Sequence, residues 1–218
     1  MLEPIASFLL YAGVIVLLAV WPAAGILCIL LALSIPPRPS AICRAPFSEL
    51  DRHMPKWQFF EVHYTDVAAS PERAFRAVLE TTPDEILFYQ TLTSIRRLFG
   101  SGSAEGDSIL RAVSGKPLLE SAEKGGFLRL AEIADQELLV GASRSDSIRA
   151  MMNFTIEVLP QGRTRVRTET RVYASQWRSK WLFAAYWRAI YPGSSLIRYM
   201  WLRAIRMRAE GALRYQVY

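Results

Sequence analysis

Few residues in this 218-residue chain are equipped for chemistry. Glu169 stands between Thr168 and Thr170, with Arg167 and Arg171 two positions away on either side. A carboxylate so placed is either a general base or one rung of an ion-pair ladder, and the alternation around it favours a solvated ladder. Glu157 and Glu210 read in the same way, as surface charges. The only histidines, His53 and His63, have no pattern of metal ligands around them, and His63 reads as an ordinary strand residue. No Gly-x-Ser-x-Gly elbow is present. The glycines between Gly100 and Gly106 fit neither the dinucleotide fingerprint nor a P-loop, so that stretch reads as a surface loop. Cys28 and Cys43 are too few for a disulfide framework or a zinc site. Cys43 stands where acylation can occur, though a small spare side chain is the simpler reading. Asn153-Phe154-Thr155 matches a glycosylation sequon by chance, in the middle of a strand. No catalytic residue, metal ligand or cofactor is assigned.

The elements that position these residues follow from pattern. Trp57 to Val67, rich in aromatic and β-branched residues, predicts a strand. Ser70-Pro71 begins a helix over 71–81, and Thr82-Pro83-Asp84 begins a second short one carrying Ile86, Leu87 and Tyr89. From residue 117 the pattern turns to strands, over 127–133, 137–143, 148–159 and 164–173, with a hairpin at Pro160-Gln161-Gly162. In the last strand Val166, Thr168 and Thr170 share a covered face, and Arg165, Arg167, Glu169 and Arg171 share a wet one. Phe154 and Ile156 fall on the covered face of the preceding strand. Helices follow over 178–190 and 195–214, interrupted at Tyr191-Pro192-Gly193-Ser194. The second carries a broad apolar face that must pack across a sheet. Trp177, Trp181, Tyr186, Trp187, Tyr191, Tyr199 and Trp201 either pack this region or, with Arg178, Lys180 and Arg188, rest on lipid headgroups.

Ahead of this domain, residues 5–35 contain no charged side chain. About 20 helical residues cross a bilayer, so residues 1–35 read as a transmembrane anchor. It is either one span kinked at Pro22 or a hairpin turning there. The start lacks the basic residues of a cleavable signal. Arg38, Arg44, Arg52 and Lys56 follow the run, which puts the remainder on the cytoplasmic side of a single-pass protein. Pro36, Pro37, Pro39, Pro46 and Pro55 make residues 36–56 a stiff, extended linker to a domain at 57–218. The net charge of +6 suits an anionic lipid surface, and no nucleic-acid-binding motif accompanies it. The oligomeric state is left open.

A strand, two short helices, a run of antiparallel strands and a long C-terminal helix is the order of an α+β helix-grip fold. The chain resembles the START-like (SRPBCC) superfamily in VHYTDVAASPERAFRAV, in FLRLAEIADQELLVGAS, and in TRVRTETRVYAS followed by YWRAIYPGSSLIRYMWLRAIRMRAE, over residues 57–213. The resemblance implies a sheet wrapped around the last helix, with an apolar cavity between them. Phe154, Ile156, Val166, Thr168, Thr170, Met200, Ala204 and Met207 would line it. Apolar walls with a few hydroxyls suit a lipid or another apolar small molecule. The implied activity is membrane-tethered binding or transfer of that ligand. A cyclase or aromatase-type enzyme and an interaction module with a filled core are the alternatives. A buried carboxylate or histidine favours the enzyme, and a filled interior favours the module.

Overall fold

The computed structural model describes residues 36–87, 89, 114–124, 127–145 and 147–211. The apolar run 5–35, the Gly-rich stretch 100–106 and residues 212–214 of the last predicted helix lie outside them. No helix among the described residues is long and apolar enough to cross a membrane.

Five antiparallel strands form the main sheet: β3 (Phe59–Val67), β4 (Leu128–Ile133), β5 (Glu137–Ser145), β6 (Ile148–Leu159) and β7 (Arg163–Ala174). Their order is β3-β7-β6-β5-β4, so β3 and β4 are the edges. Two further strands, β1 (Ala41–Ile42) and β2 (Lys56–Trp57), pair with each other. The helices are α1 (Glu49–His53), α2 (Pro71–Glu80), α3 (Leu118–Lys124) and α4 (Trp177–Glu210). The β6–β7 hairpin forms where Pro160-Gln161-Gly162 predicts it, with Gln161 and Gly162 left-handed at φ of 63° and 69°.

The covered face of the sheet packs against α2, α3 and α4. Val166, Phe154, Val78, Leu138, Ala204 and Ile205 belong to one buried cluster there. Further along, Phe59, Val172, Phe183 and Ala184 form a second cluster beneath the first half of α4. Burying a side chain of this size contributes about 1.5–3 kcal/mol, enough to keep a long helix on the sheet.

Three expectations are corrected. Residues 36–56 are not uniformly extended: α1 forms within them, capped at Ser48, whose hydroxyl accepts from Asp51 N while Asp51 accepts from Ser48 N. Pro46 and Pro55 bracket this helix instead of interrupting it, and Leu50 and Met54 bury themselves with Leu139 on the far side of the sheet. Residues 118–124 are helical rather than the start of the strand run, because Leu118, Leu119 and Ala122 share one buried face. Lastly, α4 runs unbroken through Pro192. An interior proline costs a helix about 3 kcal/mol, and burial of Phe183 and Ile190 on one side and Ile197, Trp201 and Leu202 on the other offsets that cost. The predicted short helix at residue 83 opens with a 3₁₀ turn, Pro83–Glu85, and Tyr89 is helical, while residues 88 and 90 lie outside the described ones.

Candidate functional site

Alternation along β3 sends Phe59, Glu61, His63, Thr65 and Val67 towards the helices, and Phe60, Val62 and Tyr64 the other way. A carboxylate and an imidazole therefore enter the interface between sheet and helix. Glu61 is 3 % exposed. Its Oε1 lies 2.7 Å from His63 Nε2, and its Oε2 accepts from Ser194 Oγ at 3.1 Å. Ser195 Oγ lies 3.3 Å from the same His63 nitrogen. Both serines follow Pro192 and Gly193 on α4, so the helix delivers two hydroxyls to the strand where the proline interrupts its ladder.

Serine, histidine and glutamate together suggest a nucleophile relay, and the geometry excludes one. A relay needs the serine on one ring nitrogen and the carboxylate on the other. Here both meet Nε2, so the imidazole cannot accept a proton from Ser195 there while giving one to Glu61. What the arrangement provides is a buried carboxylate held in one orientation by two donors.

Glu61 also lines a cleft of about 560 Å³ between β3 and the first half of α4. Phe59, Trp187, Tyr191 and Ala184 supply its apolar walls, with Gln58, Arg38 and Arg188 as further polar groups. The aromatic rings brace one another: Phe59 and Phe183 centroids are 4.9 Å apart, and Trp187 lies 6.0 Å from Tyr191. The cleft thus sets aromatic walls around one buried hydrogen-bond acceptor.

The eight residues expected to line a cavity lie elsewhere. Phe154, Val166 and Ala204 are fully buried in the main cluster, with Ile156 and Met200 packed against it. Phe154 meets Trp201 edge-on. Thr168 is buried there too, Thr170 and Met207 are half-buried, and of the eight only Ile156 touches any of the three clefts described in this section. Two polar atoms in this region, Thr168 Oγ1 and Trp201 Nε1, have no hydrogen-bond partner among the described residues.

Glu169 is on the arginine face, as alternation requires, but around Glu169 and Arg171 that face is covered. Glu169 and Arg171 are each 6 % exposed because α1 covers them. Arg171 pairs with Glu169 at 2.6 Å and Asp51 at 2.7 Å, donates to Met54 O and stacks on Trp57 at 3.8 Å. Arg167 holds the other Glu169 oxygen at 2.6 Å. Burial raises the Asp51 carboxyl, and the backbone N–H of Phe47 with the Arg171 guanidinium outweighs it, leaving the pKa at about 2. Asn153, the sequon residue, is 1 % exposed and donates to Glu137 Oε1 at 2.7 Å, while Glu137 accepts from Glu49 N and Leu50 N at the start of α1. With every charge satisfied, this network is a clasp for α1. A polar cleft of about 620 Å³ runs beside it, lined by Arg52, Glu157 and Arg167 among others. A third, of about 350 Å³, lies between α2 and the end of α4, where Arg208 pairs with Glu80 and Glu85.

Of the remaining candidates, His53 contacts the Glu49 carbonyl, Glu210 pairs with Arg206 and caps Ala68 N, and Glu157 is exposed. Cys43 is half-buried beside the Ala45 carbonyl. No group of three or more His, Cys, Asp or Glu among the described residues is placed to hold a metal ion. The signal that identifies Glu61 and His63 was available: they share a strand face with Phe59 and Val67. It was obscured because Phe60, Val62 and Tyr64 make the other face just as apolar.

No family model matches the chain. No curated protein matches it either. Solved structures do. A protein from Mesorhizobium loti is 16 % identical, with 73 % of this chain and 100 % of that one covered at a TM-score of 0.39. CalU16 from Micromonospora echinospora is 12 % identical over 81 % of this chain and 95 % of its own, at 0.31. A START superfamily protein from Mycobacterium smegmatis is 14 % identical over 71 % and 97 %, at 0.27. The chain's own element order, its β3-β7-β6-β5-β4 sheet and the long helix α4 laid across it make this a START-like helix-grip fold.

Proposed function

We propose that this protein binds a small apolar or aromatic molecule bearing one hydrogen-bond-donating end. The molecule lies in the cleft between β3 and the first half of α4. The observation that carries this reading is Glu61, buried and lining the same cleft as Phe59, Trp187 and Tyr191. Each Glu61 oxygen already takes one hydrogen bond, from His63 or Ser194, and a carboxylate oxygen can accept a second, from a ligand's donor. In this reading residues 5–35 anchor the chain in the bilayer with the domain on the cytoplasmic side, so an apolar ligand is met at high local concentration.

The same carboxylate supports a second reading, an enzyme that removes a proton from the bound molecule, with Glu61 as base and His63 as its partner. The two readings separate in one experiment. The full chain is purified in mild detergent, its organic extract is analysed for a stoichiometric ligand, and the recovered molecule is incubated with fresh protein. Recovery unchanged supports binding, and conversion to a product supports catalysis. A chain that carries no ligand and ignores a panel of fluorescent apolar probes overturns both.

A further inference from the structure

The side of α4 turned away from the sheet is not that of an ordinary surface helix. Leu182, Ala185, Ala189, Pro192, Leu196 and Tyr199 recur at helical spacing along it. Leu182 is 56 %, Leu196 41 % and Tyr199 62 % exposed. A helix half-buried on a sheet normally shows charged residues on its free side; here the free side is apolar over most of its length, with Arg178 at one end and Arg203 at the other. Between Trp177 and Ala209 the helix has seven basic residues and no acidic one. Apolar groups in the middle, aromatic rings, and positive charge without negative charge are what a helix lying in a headgroup layer requires.

The chain outside the structure enters at the same place. Pro36, the first described residue, offers its carbonyl to Arg188 Nη2 at 3.2 Å, and Arg188 stands on the flank of the stripe. The 31 residues from 5 to 35, without a charge, therefore join the domain beside the middle of the exposed face. We infer that the outer stripe of α4 docks on an anionic lipid bilayer, its apolar side chains among the headgroups and its arginines on lipid phosphates. This rests on the reading of residues 5–35 as an anchor. Arg188, Tyr191 and Pro192 also line the cleft beside Glu61, so docking brings the mouth of the cleft to the membrane surface.

The test uses the full chain carrying C28S and C43S, reconstituted in phosphatidylcholine vesicles with or without phosphatidylglycerol. Nitroxide labels are placed singly at L182C, L196C and, on the sheet, V158C. Flotation reports the anchor, and accessibility to oxygen against a water-soluble nickel chelate reports the depth of each label. The expected result is a floating chain whose labels at 182 and 196 favour oxygen while that at 158 favours nickel, with the contrast reduced in neutral vesicles and in the R178E/R203E variant. A chain that floats with all three labels equally aqueous overturns the docking and leaves the anchor standing. Spin–spin broadening at 182 or 196 overturns it in favour of a second copy on this face. A chain that does not float removes the anchor reading and the docking with it.

Discussion

Phe154 on β6 and Trp201 on α4 meet edge to face, ring centroids 5.0 Å apart and planes at 68°. Both are almost fully buried. This contact ties the middle of the sheet to the second half of α4, in the region where the expected cavity-lining residues stand.

Trp201→Ala should destabilise the fold by about 3–5 kcal/mol, the range for deleting a large buried aromatic. It should also open a void that binds small apolar probes the wild type excludes. Chemical denaturation and probe fluorescence check the two outcomes. A loss below about 1 kcal/mol would mean that the region is already loosely packed.

Glu61→Gln keeps the size of the side chain and its contact with Ser194, so the fold should persist with a Tm within a few degrees. Ligand retention should fall by about tenfold to a hundredfold if the ligand donates to the carboxylate, since charged hydrogen bonds contribute about 1.5–3 kcal/mol. Native mass spectrometry of the purified variant reads the bound fraction. Full retention would place the ligand away from Glu61.

Asp51 makes stability depend on acid. Its folded pKa of about 2 lies below the ordinary value of 3.8, so the folded chain holds fewer protons than the unfolded one between those values. The stabilisation is complete above about pH 4 and is lost as the pH falls towards 2, by roughly 1–2 kcal/mol after allowing for solvent screening. Asp51→Asn should remove this slope. It should also lower stability at neutral pH by up to about 3–5 kcal/mol, because Arg171 then loses part of its compensation while still buried. Denaturation midpoints from pH 2 to pH 7 measure both.

Gln161 holds a left-handed backbone at φ 63°, ψ 28° in the β6–β7 turn. That conformation costs a residue with a Cβ about 1–2 kcal/mol, and glycine avoids it at an entropic cost of about 0.5–1 kcal/mol. Gln161→Gly should therefore raise stability by about 0.5–1 kcal/mol. A fall in the melting temperature would show that the Gln161 side chain makes a contact worth more than the strain.

Much of the fold was legible in residue pattern because period-2 alternation reports which side of a strand is covered. Val166 and Thr168 point inwards, and Arg167 and Glu169 point outwards, as their spacing requires. Alternation says nothing of what does the covering. The whole arginine face was therefore taken for solvent, whereas α1 lies over Glu169 and Arg171, and the Ser48–Asp51 capping pair that signals α1 was hidden among prolines. Nor does an apolar stripe distinguish a lined cavity from a filled core. That depends on whether Phe154 and Trp201 meet, a long-range packing fact absent from either local sequence. Glu61 and His63 were missed because β3 is apolar on both faces, so that no contrast marked the inner one.

The clasp on α1 also has a mechanical consequence. Tension applied to the chain at Pro36 pulls first on its hydrogen bond from Arg188 and then on the short β1–β2 pair, Ala41 to Trp57 and Ile42 to Lys56. It then loads α1, held by Glu137 and Arg171 on two different strands. Edge strand β3, which carries Glu61, is reached last. The N-terminal segment is thus a fuse in series with the sheet, able to yield under load, and to withdraw Arg38 from the cleft, before β3 itself is pulled.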